Sequence, residues 1–327
     1  MKYRKFGKTD RQISEIGLGT WQLGADWGNV DDSTAEKVLA TAIDAGVNFF
    51  DTADCYGEGL SETRLGKFLN SISREVFIAT KLGRFPKPGG SDNFSIQQFR
   101  LHTENSLKRL GIECLDLTQV HCPPTELIKQ GEMFHWLRTL KKEGKIKEFG
   151  VSVESMEEAE ICLKQEGLCS LQIIFNVLRQ KPIDTLFDLA LKKQVALIIR
   201  LPLASGLLSG SLNTTSTFAF DDHRNFNRNG EHFNVGETFS GLPFEKGVEI
   251  ISRLEPLIPD DLSLSLAALR WILDFEAVSV IIPGSKSPKQ VLQNCQASYL
   301  KPLSANFHET LKQFYKQDVA PHIRGKY

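Results

Sequence analysis

The chain contains 327 residues, of which 41% are hydrophobic, 24% charged and 9% aromatic. These proportions are typical of a soluble globular protein and exclude a disordered, fibrous or small disulfide-stapled chain. Its 39 basic and 40 acidic side chains give a formal net charge of -1, so neither nucleic acid nor an anionic membrane would be attracted electrostatically. We therefore expect a small-molecule partner, and we assign no oligomeric state.

The six cysteines indicate a reduced compartment. They stand at positions 55, 114, 122, 162, 169 and 295, and no two have the Cys-x-x-Cys spacing of a zinc or redox site. The first residues lack the apolar segment of a secretory signal, and no apolar run reaches the roughly 18 residues of a membrane span. We expect a cytoplasmic protein without a bound metal.

Runs rich in β-branched and aromatic residues alternate with stretches of helical period. After a hairpin at 2–6 and 12–15, this alternation predicts strands at 16–19, 48–51, 76–81, 115–121, 146–151, 170–175, 196–201 and 278–283. Ser33 and Ser95 are predicted to cap the first and third helices, with Gly46 and Gly111 just past their ends. Eight βα units predict a single α/β domain over 1–327, a (β/α)8 TIM barrel with an N-terminal β-hairpin.

One segment, 209–244, interrupts this alternation after the seventh strand. It is long for a loop in a compact domain, but phenylalanines at 218, 220, 226, 233 and 239 argue against disorder. We predict that this segment covers a ligand. Residues 300–327 are interpreted as a C-terminal extension of the barrel.

The loops after barrel strands converge on one mouth, so side chains at strand ends are candidates for chemistry. The second strand ends in Asp51 with Tyr56 shortly after it, the third ends in Lys81, and the fourth ends in His121. A nearby ammonium would lower the pKa of a phenol and better match it to proton donation at neutral pH. We predict Tyr56 as the acid and Lys81 as the group that tunes it. Asp51 would orient Lys81, and His121 would hydrogen-bond the substrate oxygen.

Each of these residues alone has an ordinary structural explanation. Their occurrence at the ends of three successive strands favours a catalytic role. Four motifs follow one another in order: Val47-Asn-Phe-Phe-Asp-Thr-Ala-Asp-Cys-Tyr-Gly, Ala79-Thr-Lys81, Gln119-Val-His121 and Ile281-Ile-Pro-Gly-Ser. Together they resemble the aldo-keto reductase superfamily from about Tyr3 to Ala297. The resemblance implies a barrel that reduces aldehydes or ketones with a nicotinamide cofactor. It also implies that Tyr56 is the proton donor.

The cofactor phosphate is predicted to bind where the last strand meets its helix. The chain contains no Gly-x-Gly-x-x-Gly fingerprint, whereas a turn at Gly284 and a helix start near Pro288 offer amides to a phosphate. The resemblance assigns this site to NADP(H). The implied contacts are Pro283, Gly284, Ser285, Lys286, Lys289, Gln290 and Asn294.

The residues expected to contact the nicotinamide of the cofactor match the family less closely. Ser152 and Gln172 occupy positions that hold the carboxamide in the family, but Val153 replaces an asparagine. Arg200 stands where many members place an aromatic ring, and it would either stack on the nicotinamide or form a salt bridge at the barrel rim. Further implied cofactor contacts are Leu201, Pro202, Leu203, Ser205, Gly206 and Leu208.

Trp21, Trp27 and Phe85 follow the first and third strands and are predicted to line the substrate mouth. These aromatic side chains could instead serve ordinary packing. The leading hypothesis is an NADPH-dependent carbonyl reductase acting on a small-molecule aldehyde or ketone. One alternative is a cofactor-binding regulatory subunit similar to potassium-channel β-subunits, which the short stretch before the first strand argues against. Another is an NAD-dependent sugar or polyol dehydrogenase.

Overall fold

Parallel strands form a ring in the computed structural model, which describes residues 1–24, 26–28 and 30–327. The strands are β1 Tyr3–Lys5, β2 Gln12–Ser14, β3 Leu18–Gly19, β4 Phe49–Asp51, β5 Phe77–Leu82, β6 Leu115–His121, β7 Ile146–Ser152, β8 Leu168–Ile174, β9 Ala196–Arg200 and β10 Val278–Ile281. β1 and β2 form an antiparallel hairpin, and β3 to β10 form one parallel sheet in chain order. Parallel bridges from Ile16 to Ile281 and from Gly19 to Gly284 join its two edges and close the barrel. The predicted fold class is confirmed.

Helices connect the strands on the outside of the ring. They are α1 Asp32–Asp44, α2 Leu60–Leu69, α3 Ile96–Leu110, α4 Thr125–Gln130, α5 Glu132–Lys142, α6 Met156–Cys162, α7 Pro182–Thr185, α8 Phe187–Lys193, α9 His223–Phe226, α10 Phe244–Leu254, α11 Leu264–Leu273, α12 Pro288–Gln296 and α13 Ala305–Phe314. Ser95 caps α3, and Gly111 ends it with a left-handed φ of 68°, as predicted. The predicted Ser33 cap is wrong, because the Asp31 carboxylate accepts from the Thr34 amide and starts α1 earlier.

The barrel interior follows the period of two that a strand imposes on its side chains. Phe49, Phe77, Leu117 and Ile198 belong to one fully buried interior cluster, which Phe6 and Ile13 of the hairpin join. Continuing the same alternation toward the strand ends brings polar residues to the inside. They are Asp51 after Phe49, Lys81 after Phe77 and Ala79, His121 after Leu117 and Gln119, and Arg200 after Ile198. The apolar interior therefore ends in a polar layer.

Segment 209–244 contains α9 and short helical turns at Val235–Glu237 and Phe239–Gly241. Phe239 is fully buried, and the Phe218 ring lies against it with centroids 5.9 Å apart. Phe220, in contrast, is 87% exposed. The aromatic residues of this segment are therefore divided between core packing and solvent.

The C-terminal tail, defined as Arg324–Tyr327, lies along the turns at 235–241. The backbone amide and Nε of Arg324 both donate to the carbonyl of Gly241, at 3.1 Å each. The Arg179 guanidinium donates to the carbonyl of Lys326 at 2.5 Å and to that of Ser240 at 3.2 Å. One buried arginine thus joins the tail to this part of segment 209–244.

No helix within the described residues is both long and apolar enough to span a membrane. All six cysteines are free thiols.

Candidate active site

A cavity of about 430 Å³ opens at the ends of the barrel strands, within the size range of small-molecule sites. Its lining includes most of the residues singled out in the sequence: Trp21, Trp27, Asp51, Tyr56, His121, Gln172, Arg200, Leu201, Pro202, Leu203, Ser205, Gly206, Pro283, Gly284, Ser285, Lys286, Gln290 and Asn294. Predicted catalytic, cofactor and substrate residues therefore share one space.

The Asp51 carboxylate organises the floor of this cavity. One of its oxygens accepts from the Lys81 ammonium. The other accepts from the amides of Gln172 at 2.8 Å and Gln119 at 3.1 Å. Because these partners come from β5, β6 and β8, the carboxylate ties several strands together. The side chains of Asp51 and Lys81 are 3% and 0% exposed, so this is a buried ion pair.

Lys81 uses its three N–H donors on three different acceptors. Besides Asp51, its Nζ donates to the Thr52 carbonyl at 2.8 Å and to the Tyr56 oxygen at 3.2 Å. A phenol oxygen that accepts one hydrogen bond still carries its own proton. The Tyr56 proton is therefore available for donation into the cavity.

The expected lowering of the Tyr56 pKa is not found. Burial raises the pKa of Tyr56 well above its usual value of 10, and the nearby Asp51 carboxylate raises it further. The physical reason is that the Asp51 carboxylate neutralises the Lys81 ammonium, so the pair presents little net charge to the phenol. Tyr56 consequently remains protonated at neutral pH.

His121 lies beside Tyr56, with ring centroids 6.0 Å apart and the planes nearly perpendicular. Burial lowers the pKa of His121 well below 6.5, and the positive charges of Arg84, Lys81 and Arg200 act in the same direction. The imidazole is therefore neutral at physiological pH. Its Nδ1 lies 3.6 Å from the Cys55 thiol.

Arg200 forms a salt bridge at the rim, which was one of its two predicted roles. Its guanidinium lies 3.0 Å from Glu237 and donates to the Val153 carbonyl at 3.3 Å. Arg84 contacts Glu237 at 2.9 Å and Glu154 at 3.0 Å. The two arginines hold the pKa of Glu237 down to about 2 despite its burial.

Cys122, Glu154 and Glu237 bring a thiol and two carboxylates within 4.8 Å of one another. Both carboxylates are already paired with Arg84, and Glu237 is also paired with Arg200. Cationic partners of this kind oppose a metal cation, so we interpret the group as a salt-bridge cluster.

The phosphate end of the cavity differs in detail from the sequence prediction. The Gln290 side chain accepts from the Lys286 amide at 2.7 Å, and Ser287 caps the Gln290 amide at 3.3 Å. The start of α12 thus offers fewer free amides than expected. The Lys286 ammonium donates to the Trp27 carbonyl, and an ammonium has two further donors. A phosphate would therefore rely mainly on this side chain.

Backbone strain concentrates beside the cavity. Leu201, Ala204 and Ser205 have φ values of 54°, 50° and 55°, and Phe239 and Ser240 have 51° and 57°. Such left-handed backbone is costly for residues other than glycine and occurs preferentially at functional sites. Hydrogen bonds between residues 201–205 and 239–240 hold this left-handed backbone in place, including the one from the Phe239 amide to the Ser205 Oγ at 3.2 Å.

Five predicted site residues do not line the cavity, and one of them is Lys81, which is buried and contacts the cavity-lining Asp51 and Tyr56. The Ser152 Oγ lies 3.5 Å from the Cys122 thiol, and Leu208 is fully buried in the apolar core. Lys289 is exposed on the solvent side of α12. The Phe85 ring lies 5.5 Å from that of His102, and the Arg109 guanidinium lies 5.9 Å from the same ring. Phe85 therefore packs outside the predicted substrate mouth.

Segment 209–244 supplies cavity residues, of which Arg224 is predicted from the sequence to meet the cofactor pyrophosphate or pair with local acids, whereas Glu237 is not singled out in the sequence. Glu237 and Arg224 line the cavity. The buried His223 ring lies 4.7 Å from that of Trp21 and 4.5 Å from that of Trp27. None of these residues stands at a strand end. The single sequence signal was the length and aromatic content of the segment.

A family model for the aldo/keto reductase family matches residues 15–316. The aldo-keto reductase YhdN of Bacillus subtilis is 29% identical over 304 residues, covering 89% of this chain and 87% of that protein. The NADH-specific methylglyoxal reductase of Escherichia coli is 28% identical over 315 residues, covering 91% and 93%. The solved glycerol dehydrogenase AKR11B4 of Gluconobacter oxydans superposes with a TM-score of 0.79 at 28% identity, covering 99% and 98%. With the barrel and the strand-end site in place, the chain belongs to the aldo/keto reductase family.

Proposed function

We propose that this protein reduces an aldehyde or ketone to an alcohol, with hydride from NADPH and the proton from Tyr56. The observation that carries the proposal is the hydrogen bond from Lys81 to the Tyr56 oxygen, because a phenol that accepts this bond keeps its own proton for donation to a substrate oxygen. Tyr56 and His121 share one cavity, where a carbonyl oxygen could accept from both.

The protonation states favour reduction over oxidation. Reduction requires a protonated phenol to neutralise the developing alkoxide, whereas oxidation requires a phenolate to remove a proton. The raised pKa of Tyr56 and the lowered pKa of His121 provide two neutral hydrogen-bond donors. The polyol dehydrogenase alternative gains support from the glycerol dehydrogenase relative, whereas the protonated state of the Tyr56 phenol at neutral pH is the one that reduction uses.

The cavity's own donors fit a dinucleotide cofactor. Lys286 and Arg224 place positive charge along its lining. The buried Arg200 Nε has no hydrogen-bond partner among the described residues. Bound NADPH would supply the hydride. Lys286 would contact the 2′-phosphate that distinguishes NADPH from NADH, and Gln290 and Asn294 would lie toward the adenosine.

The experiment is a fluorescence titration of NADPH and NADH, followed by turnover of a carbonyl panel with each. In Lys286→Met we expect NADPH affinity to fall roughly tenfold, about 1.4 kcal/mol, while NADH affinity changes little. Lys289→Met is the matched control, because this neighbouring lysine is exposed outside the cavity. Equal losses for both cofactors in Lys286→Met would remove the support for NADPH. Failure of every carbonyl compound to turn over would contradict reduction.

A further inference from the structure

The turn after β4 brings two consecutive side chains against His121. Tyr56 meets the imidazole edge-on, and the Cys55 sulfur lies 3.6 Å from Nδ1. The turn itself is held by backbone bonds, including Tyr56 N to the Ala53 carbonyl at 3.3 Å and Ser61 N to the Tyr56 carbonyl at 3.2 Å. The position of the thiol is therefore fixed by the same backbone that positions the proposed acid.

Both members of the Cys55 and His121 contact are neutral. Burial raises the pKa of the Cys55 thiol, so it remains S–H, and burial with the surrounding cations keeps His121 unprotonated. A neutral imidazole has one N–H donor and one bare nitrogen acceptor. The proton therefore resides on either Nδ1 or Nε2, and the environment of Nδ1 decides which.

Sulfur is a weak acceptor, whereas the bare nitrogen of an imidazole is a good one. The better arrangement is consequently a thiol that donates to Nδ1. Among the described residues, Cys55 is the hydrogen-bonding partner of the His121 ring. With Nδ1 accepting, the proton must be on Nε2.

We propose that the Cys55 thiol holds His121 in the Nε2–H tautomer, which makes Cys55 a positioning residue for the hydrogen bond to the substrate oxygen. An Nε2–H group can donate to a carbonyl oxygen, but the opposite tautomer would face that oxygen with a lone pair. The effect on substrate rests on the proposed carbonyl reduction, whereas the tautomer itself does not.

The test uses the full chain labelled with ¹⁵N-histidine, in which two-bond ¹H–¹⁵N correlation spectra report which ring nitrogen is protonated. His121 signals are assigned by their loss in His121→Gln. We expect the Nε2–H form in the wild type. Cys55→Ser should retain that form because a hydroxyl can still donate, whereas Cys55→Ala should gain a substantial Nδ1–H population. Cys114→Ala is the control, because the Cys114 thiol donates to the Leu115 carbonyl and not to a histidine.

The kinetic counterpart is a fall in kcat/KM of about two- to tenfold in Cys55→Ala, restored at least partly in Cys55→Ser, with unchanged NADPH affinity. An Nδ1–H form in the wild type, or an unaltered tautomer in Cys55→Ala, would overturn the assignment. If the wild type reduced no carbonyl compound, the proposed function would fail while the spectra would still decide the role of Cys55.

Discussion

Two regions of the cavity are built in different ways. On one side, Asp51, Lys81 and His121 stand at the ends of adjacent strands, where the backbone ladder of the barrel fixes their spacing. On the other side, Glu237 comes from segment 209–244 and meets Arg200 at the end of β9. The first region carries the groups suited to proton transfer. The second attaches segment 209–244 to the barrel through salt bridges. Substitutions there should therefore lower the free energy of unfolding more than they lower kcat.

Tyr56→Phe provides the largest contrast between the two regions. Removing the phenolic proton should lower kcat by about 10² to 10⁴, the range typical of general acid catalysis. Affinity for NADPH, measured by fluorescence titration, should remain near the wild-type value because no binding group is lost. Single-turnover measurements would show whether chemistry limits both enzymes. Retention of more than about a tenth of the wild-type kcat would contradict the acid role.

Lys81→Met should damage activity and stability together. It leaves Asp51 as a buried carboxylate without its cation, at a cost of about 3 to 5 kcal/mol in the free energy of unfolding. Denaturant unfolding measures this loss. Lys129→Met is the control, because this exposed lysine pairs with the exposed carboxylates of Glu126 and Glu157, and its substitution should change stability by less than about 1 kcal/mol. An inactive Lys81→Met that unfolds like the wild type would show that the buried pair contributes little stability.

Glu237→Gln tests the region built by segment 209–244. It removes the carboxylate shared by Arg84 and Arg200, and we expect a loss of about 2 to 4 kcal/mol, with kcat reduced less than tenfold. The folded pKa of Glu237, about 2, is lower than the usual 4.5. Its stabilisation is therefore complete above pH 4.5 and is lost as the pH falls toward 2. Acid unfolding of the glutamine variant should be correspondingly less steep. A kcat loss as large as that of Tyr56→Phe would erase the distinction between the regions.

The pH dependence of reduction should show the smallest effect. His121 is neutral above its lowered pKa, and Tyr56 is protonated below its raised pKa. We therefore expect kcat to vary by less than about threefold between pH 7 and 9 when chemistry is limiting. A fall of kcat with an apparent pKa between 7 and 8 would indicate that Lys81 lowers the phenol pKa more than burial raises it.

Periodicity in the sequence was sufficient to predict the strand-end region. Successive side chains of a strand point alternately into and out of the barrel. Asp51 and Lys81 keep the two-residue spacing of the inward-facing apolar residues before them, so both are predicted to face the interior. All ten predicted strands are present, with ends shifted by at most two residues. The predicted direction of the Tyr56 pKa shift is wrong, because burial of the phenol is the largest cause of the shift, and both this burial and the closeness of Asp51 depend on tertiary packing that no sequence pattern contains.

The loop-built region could not be predicted in the same way. Glu237 belongs to a segment without helical or strand period, so its meeting with Arg200 depends on tertiary packing alone. Proximity in sequence to a strand end and a helix start suggests Phe85 and Lys289 as site residues, yet neither of them lines the cavity. A position near a functional turn does not determine the direction of the side chain.

The contacts of the C-terminal tail have a practical consequence for handling the protein. Arg324 donates to the Gly241 carbonyl, and the Lys326 carbonyl accepts from the Arg179 guanidinium, which also donates to the Ser240 carbonyl in the turn that follows Glu237. An affinity tag or reporter fused directly after Tyr327 would therefore begin beside Lys181, which donates to the Tyr327 carbonyl, and would disturb these tail contacts. A spacer at that junction, or attachment before the β1–β2 hairpin, would be preferable when cofactor binding is to be measured.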